Sequence, residues 1–438
     1  MSDVTKKSIW KKELKLKRAP KPDAPERAPV EAPETPRAAG TPFWKKELKL
    51  KGTPKEAKAP KQKRERPRMN LGLPKPTVRK GAKGGGHAAK RLVGLKIGAS
   101  QLAAASITNN GSAELLKVAR EELEHGIVVG GELREPEKLT EALREFFSKH
   151  DLPRRNVRLG VANNRIGVRT FDIVGVDDPS QLDNAVRFHA QETLPIPIDD
   201  AVLDYHILSE TKDKSGQSLK RVLLVVAYRE LVDRYVTACR NAGIELAGID
   251  LEAFALLRAM GAPRETEAAL VVVSVGHDRS TFAVSDGRVC EFARVLEWGG
   301  NSLNVALARA LDVAPSETES LKRTLDLAAT TSSPGLTETQ LEPAREAIRR
   351  QIESFARQLV SSLQFYQNQP GSLSIGEIVL TGGTAHMSGL AQELQRLIGV
   401  TVRIGDPLMR VRVGKNAVVD NEQQVGSLAI AIGLGIED

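Results

Sequence analysis

No stretch of this sequence approaches the eighteen or so consecutive apolar residues that a membrane-crossing helix needs, and the first residues lack the apolar core of a signal peptide. A cytoplasmic chain is expected. Cysteine is almost missing: Cys239 and Cys290 stand alone in apolar, periodic segments, which excludes a disulfide framework and points to core positions. The seven histidines form no cluster with Cys, Asp or Glu at metal-ligand spacing, and neither a nucleophile elbow nor a Walker loop occurs. Hydrolases built on those devices, and metal enzymes, lose ground. Aromatic residues make up only 4% of the chain, so the positions of its three tryptophans carry information.

What is present is divided unevenly. A chain of 438 residues exceeds the size at which one core stops growing, so two or more folded units are expected. Residues 1–90 contain 26 Lys/Arg against 9 Asp/Glu, a net of +17, whereas the remainder carries 38 against 46, or −8. The basic character therefore belongs to a tail. Twelve of the 23 prolines also lie there, with few branched apolar residues, so residues 1–88 cannot bury enough surface to offset their ordering entropy and are expected to be disordered.

That tail repeats itself. Trp-Lys-Lys-Glu-Leu-Lys-Leu-Lys occurs at 10–17 and again at 44–51, preceded by Ile9 and Phe43. Trp10, Leu14 and Leu16, with Trp44, Leu48 and Leu50, form two copies of an apolar contact set among lysines, as suits a partner groove or an anionic membrane surface. A purely solvating segment has no need of Trp and Leu, which favours a bivalent docking motif. Positive charge alone would also bind nucleic acid, but no folded reader module accompanies it, and no nucleic-acid partner is expected. Met69–Pro74 forms a further small apolar island.

From Arg91 the pattern changes to strands alternating with amphipathic helices. Strands near 92–97, 102–108 and 115–120 form a meander with a hairpin at Asn109-Asn110-Gly111, followed by a helix at 136–149 and a strand at 156–162. The plan returns at 269–275, 280–286 and 289–295, with helices near 301–311, 315–326 and 343–368 and a strand at 377–381. Two similar halves suggest a cleft between paired domains. Each half opens with a strand and a glycine turn, Val93–Gly98 (with Ala99 and Ser100) and Val273–Gly276 (with Ser280 and Thr281). A third strand ends in Gly382-Gly383-Thr384. Glycines let backbone amides approach a phosphate or a flat ring closely, although they also serve ordinary tight turns. Asp250, Glu252 and Arg294 are candidate cleft residues; helix N-terminal charge, for the two acids, and an exposed strand position, for Arg294, are the plainer alternatives.

Three glycine-bearing strand ends in this order, with Glu192–Pro197 leading to Leu203-Asp204-Tyr205, Ala242–Glu245 through Ile249–Ala253, Trp298–Asn301 and a closing helix around Leu428–Leu434, resemble the PilM family. These are actin-like proteins of type IV pilus assembly, themselves similar to FtsA. The resemblance covers about 91–436. It implies an α/β, actin-like two-domain fold with ribonuclease H-like halves: 89–169 completed by 247–265 and 406–438, an inserted α+β subdomain at 170–246, and a second domain at 266–405. It also implies ATP or ADP held by Lys96, Gly98, Ala99, Ser100, Gly276, Ser280, Thr281, Gly382, Gly383 and Thr384. The partner it implies is the N-terminal peptide of a PilN-like membrane protein, at the inner face of the cytoplasmic membrane. Other pilus components such as an assembly ATPase, reached through the tail, peripheral membrane association and oligomerisation are compatible with it.

The sequence departs from that family chemistry at two positions. The resemblance places metal-organising aspartates in the first and second loops, where this chain has Lys96 and Ser274. A cation there repels Mg²⁺ and serine brings no compensating charge, which argues against Mg-ATP hydrolysis. Two readings stay open: Lys96 neutralises nucleotide phosphate itself, or the site is vestigial and Lys96 pairs with a carboxylate such as Asp278. A pilus assembly scaffold is the leading expectation. An active ATPase or sugar kinase of the same superfamily is the enzymatic rival, and nucleic-acid or membrane-surface binding through the tail the other.

Overall fold

The computed structural model describes residues 90–437 except 194–196, 213–214, 262–266, 328–334, 370, 416, 418 and 420–424. The tail motifs at Trp10–Leu16 and Trp44–Leu50, Met69–Pro74 and the centre of Glu192–Pro197 lie outside the described residues.

The chain opens with β1 (Lys90–Ile97), β2 (Gln101–Asn109) and β3 (Ala113–Glu122), each antiparallel to the next. Their first turn after β2 uses Gly111 at φ 75°, the left-handed geometry a tight hairpin demands. A short hairpin follows, β4 (Val128–Val129) and β5 (Glu132–Leu133), closed by Gly130 and Gly131 at positive φ. Helix α1 (Pro136–Lys149) starts on a proline, where the missing N–H costs nothing, and buries Leu139, Leu143, Phe146 and Phe147 at helical spacing. β6 (Val157–Val161) then returns parallel to β1.

Between β6 and the next strand of that sheet the chain inserts β7 (Gly167–Val174), α2 (Pro179–Thr193), β8 (Ala201–Lys212), β9 (Ser218–Tyr228) and α3 (Arg229–Asn241). β9 lies between β7 and β8, antiparallel to both, and Ile173, Leu182, Val186, Val222, Leu224 and Val226 give this sheet a core of its own. β10 (Leu246–Leu251) rejoins the first sheet beside β6, and α4 (Glu252–Met260) follows at once.

The second half contains β11 (Ala269–Val275), β12 (Ser280–Ser285), β13 (Cys290–Leu296), α5 (Gly300–Leu311), α6 (Thr318–Thr324), α7 (Glu338–Gln367), β14 (Ile375–Thr381), α8 (Leu390–Ile398) and β15 (Thr401–Ile404). The two-residue β16 (Arg412–Val413) then edges the first sheet and α9 (Ala429–Gly435) ends the chain. The sheets read β10-β6-β1-β2-β3-β16 and β13-β12-β11-β14-β15. In each, a three-stranded meander gains two parallel strands beside its first member, so the repeat expected from the sequence is present strand for strand.

Some details differ from the pattern reading. β4–β5 and β7 were not anticipated: two residues are too few to show alternation, and β7 mixes exposed and half-buried positions. The helix expected from 343 begins at Glu338, where Thr337 and Gln340 form a capping box, and Pro343 sits inside it. The helix expected at 315–326 divides into a 3₁₀ turn and α6.

Helices α4 and α9 lie between the two sheets, sharing a core of Ala255, Leu256, Ala259, Met260, Ile430 and Leu434 with Val272 and Val379 of the second sheet. Their approach depends on glycine. A Cβ on Gly433 would collide with the Ala255 carbonyl, and one on Gly94 of β1 with the Ala431 carbonyl. Gly433→Ala should therefore destabilise by about 1–3 kcal/mol, the range for overpacked cores. Gly167→Ala, where a Cβ meets nothing within 4 Å, is the control expected to leave urea unfolding unchanged; equal midpoints for the two variants would refute this packing argument.

Candidate functional site

The second and third glycine turns lie against each other, and Lys96, two residues before the first, is within electrostatic reach of Asp278 and Arg279 of the second. The first is closed by the Gly98 N–H donating to the Gln101 carbonyl at 2.9 Å, and the Ser100 carbonyl accepts from Leu123 at 2.9 Å. Ala99 is buried and Ser100 half-buried beside it. The second is closed by Gly276 N–H to the Arg279 carbonyl at 3.0 Å. Carbonyls of this second turn also face the N-terminus of α5: Gly276 accepts from Gly300 at 2.9 Å and His277 from Asn301 at 2.7 Å. Amides at that helix end are thus satisfied by the protein itself.

The third turn is fixed to the second. Thr384 donates its hydroxyl to the Gly276 carbonyl at 3.1 Å, and Gly382, at φ 93°, lies so close to Val275 that a Cβ would strike its carbonyl. Gly383 is exposed with open space where a Cβ would stand. Behind both turns, buried Lys322 pairs with Glu319 at 2.6 Å. Burial alone would raise the Glu319 pKa, but hydrogen bonds from Lys322, Asn304 and Arg323 bring it down to about 2.

The hydroxyls expected to face a phosphate are engaged otherwise. Ser280 is fully buried and donates to the Trp298 carbonyl at 2.7 Å, while Thr281 donates to Glu252 Oε2 at 3.3 Å. Ser274 is buried within β11, between Thr281 of β12 and Thr381 of β14.

Lys96, half-buried near the end of β1, has its pKa lowered by desolvation; Glu252 and Asp278 oppose that shift and Arg279 adds to it. Four charged groups, two of each sign, therefore share one cleft. Lys96 forms no direct ion pair among the described residues. No Lys96–Asp278 ion pair is present among the described residues, although the two remain within electrostatic reach, and Asp278 Oδ2 accepts from the Gly130 N–H at 2.7 Å.

That contact makes the β4–β5 turn a junction. Asn163, after β6, donates to the Gly130 carbonyl at 2.9 Å, and Tyr235 of α3 donates to the Gly131 carbonyl at 3.2 Å. Arg279 lies against Gly131 closely enough that no side chain fits there. Nearby, the rings of His125 and His277 lie 5.2 Å apart.

The two candidate acids part company. Asp250 pairs with Arg258, which also donates to the Gly433 carbonyl at 2.9 Å, so it braces α4 against α9. Glu252 is 2% exposed and faces the cleft through Thr281. Arg294 is exposed on β13, 3.4 Å from the Ser362 hydroxyl, and borders a small cavity with Asn163, Leu251 and Thr281. Cys239 and Cys290 are free and buried, their thiols pushed up to about 12, chiefly by burial. A surface concavity of 810 Å³ lies between the ends of α1 and α3, away from the three turns. Its Arg144 and Arg154 serve carbonyls of Asn241 and Ala242 at 2.6 and 2.7 Å, so the groups are structural.

Residues 94–438 match the family of type IV pilus assembly protein PilM. The chain belongs to the PilM family. Among solved structures it is similar to a PilM-PilN type IV pilus biogenesis complex, at 25% identity and a TM-score of 0.67, covering 80% of this chain and 98% of that one. Cell division protein FtsA of Pseudomonas aeruginosa is 24% identical over 351 residues, 73% of this chain and 83% of the relative. FtsA of Escherichia coli is 25% identical over 207 residues, about half of its length at 49%. The actin-like fold follows from the PilM membership, the FtsA relatives and the repeated sheet plan together. Among the described residues, no helix is long and apolar enough to cross a membrane.

Within this PilM-family chain, Arg279, Tyr235, Asn163 and the Gly130-Gly131 turn escaped sequence reasoning. A glycine pair between Val128-Val129 and Glu132-Leu133 is itself a hairpin signal and could have been found. Nothing local marks Tyr235 or Asn163, whose partners lie 104 and 33 residues away.

His277 is held below its ordinary pKa by burial, with His125 and Lys322 adding to the effect and Asp278 and Glu319 opposing it. The unfolded chain takes up a proton near pH 6.5 while the folded loop resists it. Stability from neutral His277 is therefore complete above that pH and declines as pH falls through the unfolded value toward the lower folded one. Between pH 7.5 and 5.5, urea midpoints should fall less steeply for His277→Gln than for the unmodified protein; an identical slope would clear His277 of the effect.

Proposed function

We propose that this PilM-family protein is a scaffold of the type IV pilus assembly platform at the inner face of the cytoplasmic membrane. In this reading it holds the N-terminal peptide of a PilN-like membrane protein, and its nucleotide cleft binds without productive Mg-ATP hydrolysis. The observation that carries the reading is the family match over 94–438, reinforced by likeness over nearly the whole length of a PilM that was solved with PilN. We propose the four-part division as well: a tail at 1–88, a first domain at 89–169 completed by 247–265 and 406–438, an inserted unit at 170–246, and a second domain at 266–405.

The cleft chemistry supports a scaffold over a motor. Lys96 and Ser274 stand where the resemblance places metal-organising acids. The nearest remaining carboxylates are Glu252, beside a cation, and Asp278, engaged by the Gly130 amide. Mg²⁺ prefers one or two carboxylates with phosphate and water, and the positive charges of Lys96 and Arg279 beside these two oppose its entry. When bound, a nucleotide would supply phosphates and a ring for the three turns to hold; Gly383 and the Gly98–Ser100 turn are the segments with room or backbone to receive it.

Two experiments test this. A peptide comprising the cytoplasmic N-terminus of a PilN-like protein should be retained by the full chain in a pull-down and displaced by excess free peptide; no retention, with or without ADP, would remove the partner assignment. ATP turnover should stay at the background rate with and without Mg²⁺, and Lys96→Asp combined with Ser274→Asp should raise any Mg²⁺-dependent rate. Robust Mg²⁺-dependent turnover by the unmodified chain would overturn the loss of hydrolysis.

A further inference from the structure

The inserted sheet leaves a long strand open on one side. Its order is β7-β9-β8, so among the described residues β8 pairs with β9 alone, and it is twelve residues long. The other outer strands of the three larger sheets, β7, β10, β13, β15 and β16, have two to eight. Two backbone groups of β8 are taken by side chains: the Tyr205 N–H donates to the Asp204 carboxylate at 2.9 Å, and the Ala201 carbonyl accepts from Arg229 at 2.8 Å. Backbone direction alternates along a strand, so Ala201, Leu203, Tyr205 and Ile207 turn their N–H and C=O away from β9. A register shift between Ile207 and Ser209 ends the straight part of this edge, which runs over 201–207. Proteins ordinarily shorten, charge or cover such an edge, because it is a template for another strand.

The two sides of the edge differ. Leu203, Tyr205 and Ile207 are half-buried against the apolar core of the inserted sheet, whereas Asp204 and His206, pointing the other way, are exposed. Asp199 and Asp200 precede the strand, Glu210 follows its straight part, and no Lys or Arg occurs from Pro197 to Thr211. Glu210 is paired with Lys220, but none of the three aspartates is in an ion pair among the described residues. The edge is therefore apolar on one side and anionic on the other.

The tail of the same chain carries the complementary pattern twice. Trp-Lys-Lys-Glu-Leu-Lys-Leu-Lys, at 10–17 and 44–51, has a net charge of +3 in each copy. With a period of two, Trp10, Leu14 and Leu16 fall on one side together with Lys12, and Lys11, Glu13, Lys15 and Lys17 fall on the other; Trp44, Leu48 and Leu50 repeat the arrangement. Laid along β8, the apolar side meets Leu203, Tyr205 and Ile207, the lysine side meets Asp204, and the open backbone groups gain partners. Thirty-nine residues lead from Lys51 to Lys90, up to roughly 130 Å of chain, which is ample to reach any face of a folded unit of this size.

From this match we propose that the repeated tail motif adds, within the same molecule, as a fourth strand on the open edge of β8. The docking is independent of nucleotide and of the PilN-like peptide.

The test is hydrogen–deuterium exchange of the full 438-residue chain, read by mass spectrometry over 201–207. A segment tethered in the same chain meets its site at an effective concentration on the order of 1 mM, so an affinity of ~0.1 mM fills the edge about nine tenths of the time and slows its outward amides roughly tenfold. That protection should be lost when both copies are disabled by changing Trp10, Leu14, Leu16, Trp44, Leu48 and Leu50 to Ser. It should also weaken in Asp199→Lys combined with Asp200→Lys, two exposed positions that leave the Tyr205–Asp204 contact in place. Exchange over 167–174, in β7 at the opposite edge of the same sheet, should stay the same throughout.

Protection of 201–207 that persists unchanged on about tenfold dilution supports docking within one molecule. Protection that fades on dilution would give the edge to the tail of a second copy and overturn the proposal as stated. Equal exchange in the unmodified chain and the six-fold tail variant, equal acceleration of β7 and β8, or protection undiminished by the double charge reversal would each overturn it as well. The six tail substitutions lie outside the folded part, so they keep the test decisive if the Asp199 and Asp200 changes disturb the inserted sheet.

Discussion

The close passage of α9 between β1 and α4 is the constraint on which the remaining architecture depends. Gly94 and Gly433 carry no Cβ where these backbones pass closest, and the resulting contact seats a short apolar helix between two sheets. Because α4 begins at Glu252 and packs on the second sheet through Val272, the same contact fixes a first-half acid opposite Thr281 of the second half. Asp250, two residues earlier, is drawn into the support by Arg258. Packing of small residues at one crossing thereby sets the spacing of the cleft.

Across that cleft, charged side chains of both signs lie within electrostatic reach of one another. Lys96 and Arg279 face Glu252 and Asp278, and Asp278 reaches out to the Gly130 amide. The second turn is the centre of this arrangement. Its carbonyls satisfy the start of α5 and accept from Thr384, while its side chains touch the first half at His125, Gly130 and Gly131. Since Tyr235 of the inserted segment holds the same Gly131, the turn contacts every folded part through one short hairpin.

Much of the fold was legible before any coordinates. The hairpin signal at Asn110-Gly111 corresponds to a real turn with Gly111 at positive φ, and the 136–149 periodicity matches α1 residue for residue. These features are local: a period of two or 3.6, or a residue tolerant of left-handed geometry, is written in consecutive positions. The candidate site was legible only in outline. The three glycine turns are visible in the sequence, but Ser280, expected among the nucleotide-holding residues, is buried and donates to the Trp298 carbonyl. Arg279 went unremarked, because an arginine after a glycine turn looks like any solvated charge until Gly131 is folded against it.

The sequence was enough to establish the duplicated motif at 10–17 and 44–51, the charge division between tail and remainder, the repeated strand plan and the absence of acids at 96 and 274. Each is a matter of composition or short-range periodicity. Folding alone established that Glu252 faces the cleft while Asp250 does not, that Asp278 accepts from Gly130, and that Arg279 is enclosed against Gly131. Those outcomes join residues as much as 148 positions apart, and they turn on which carbonyl or amide a loop happens to meet when two separately built sheets close on α4 and α9.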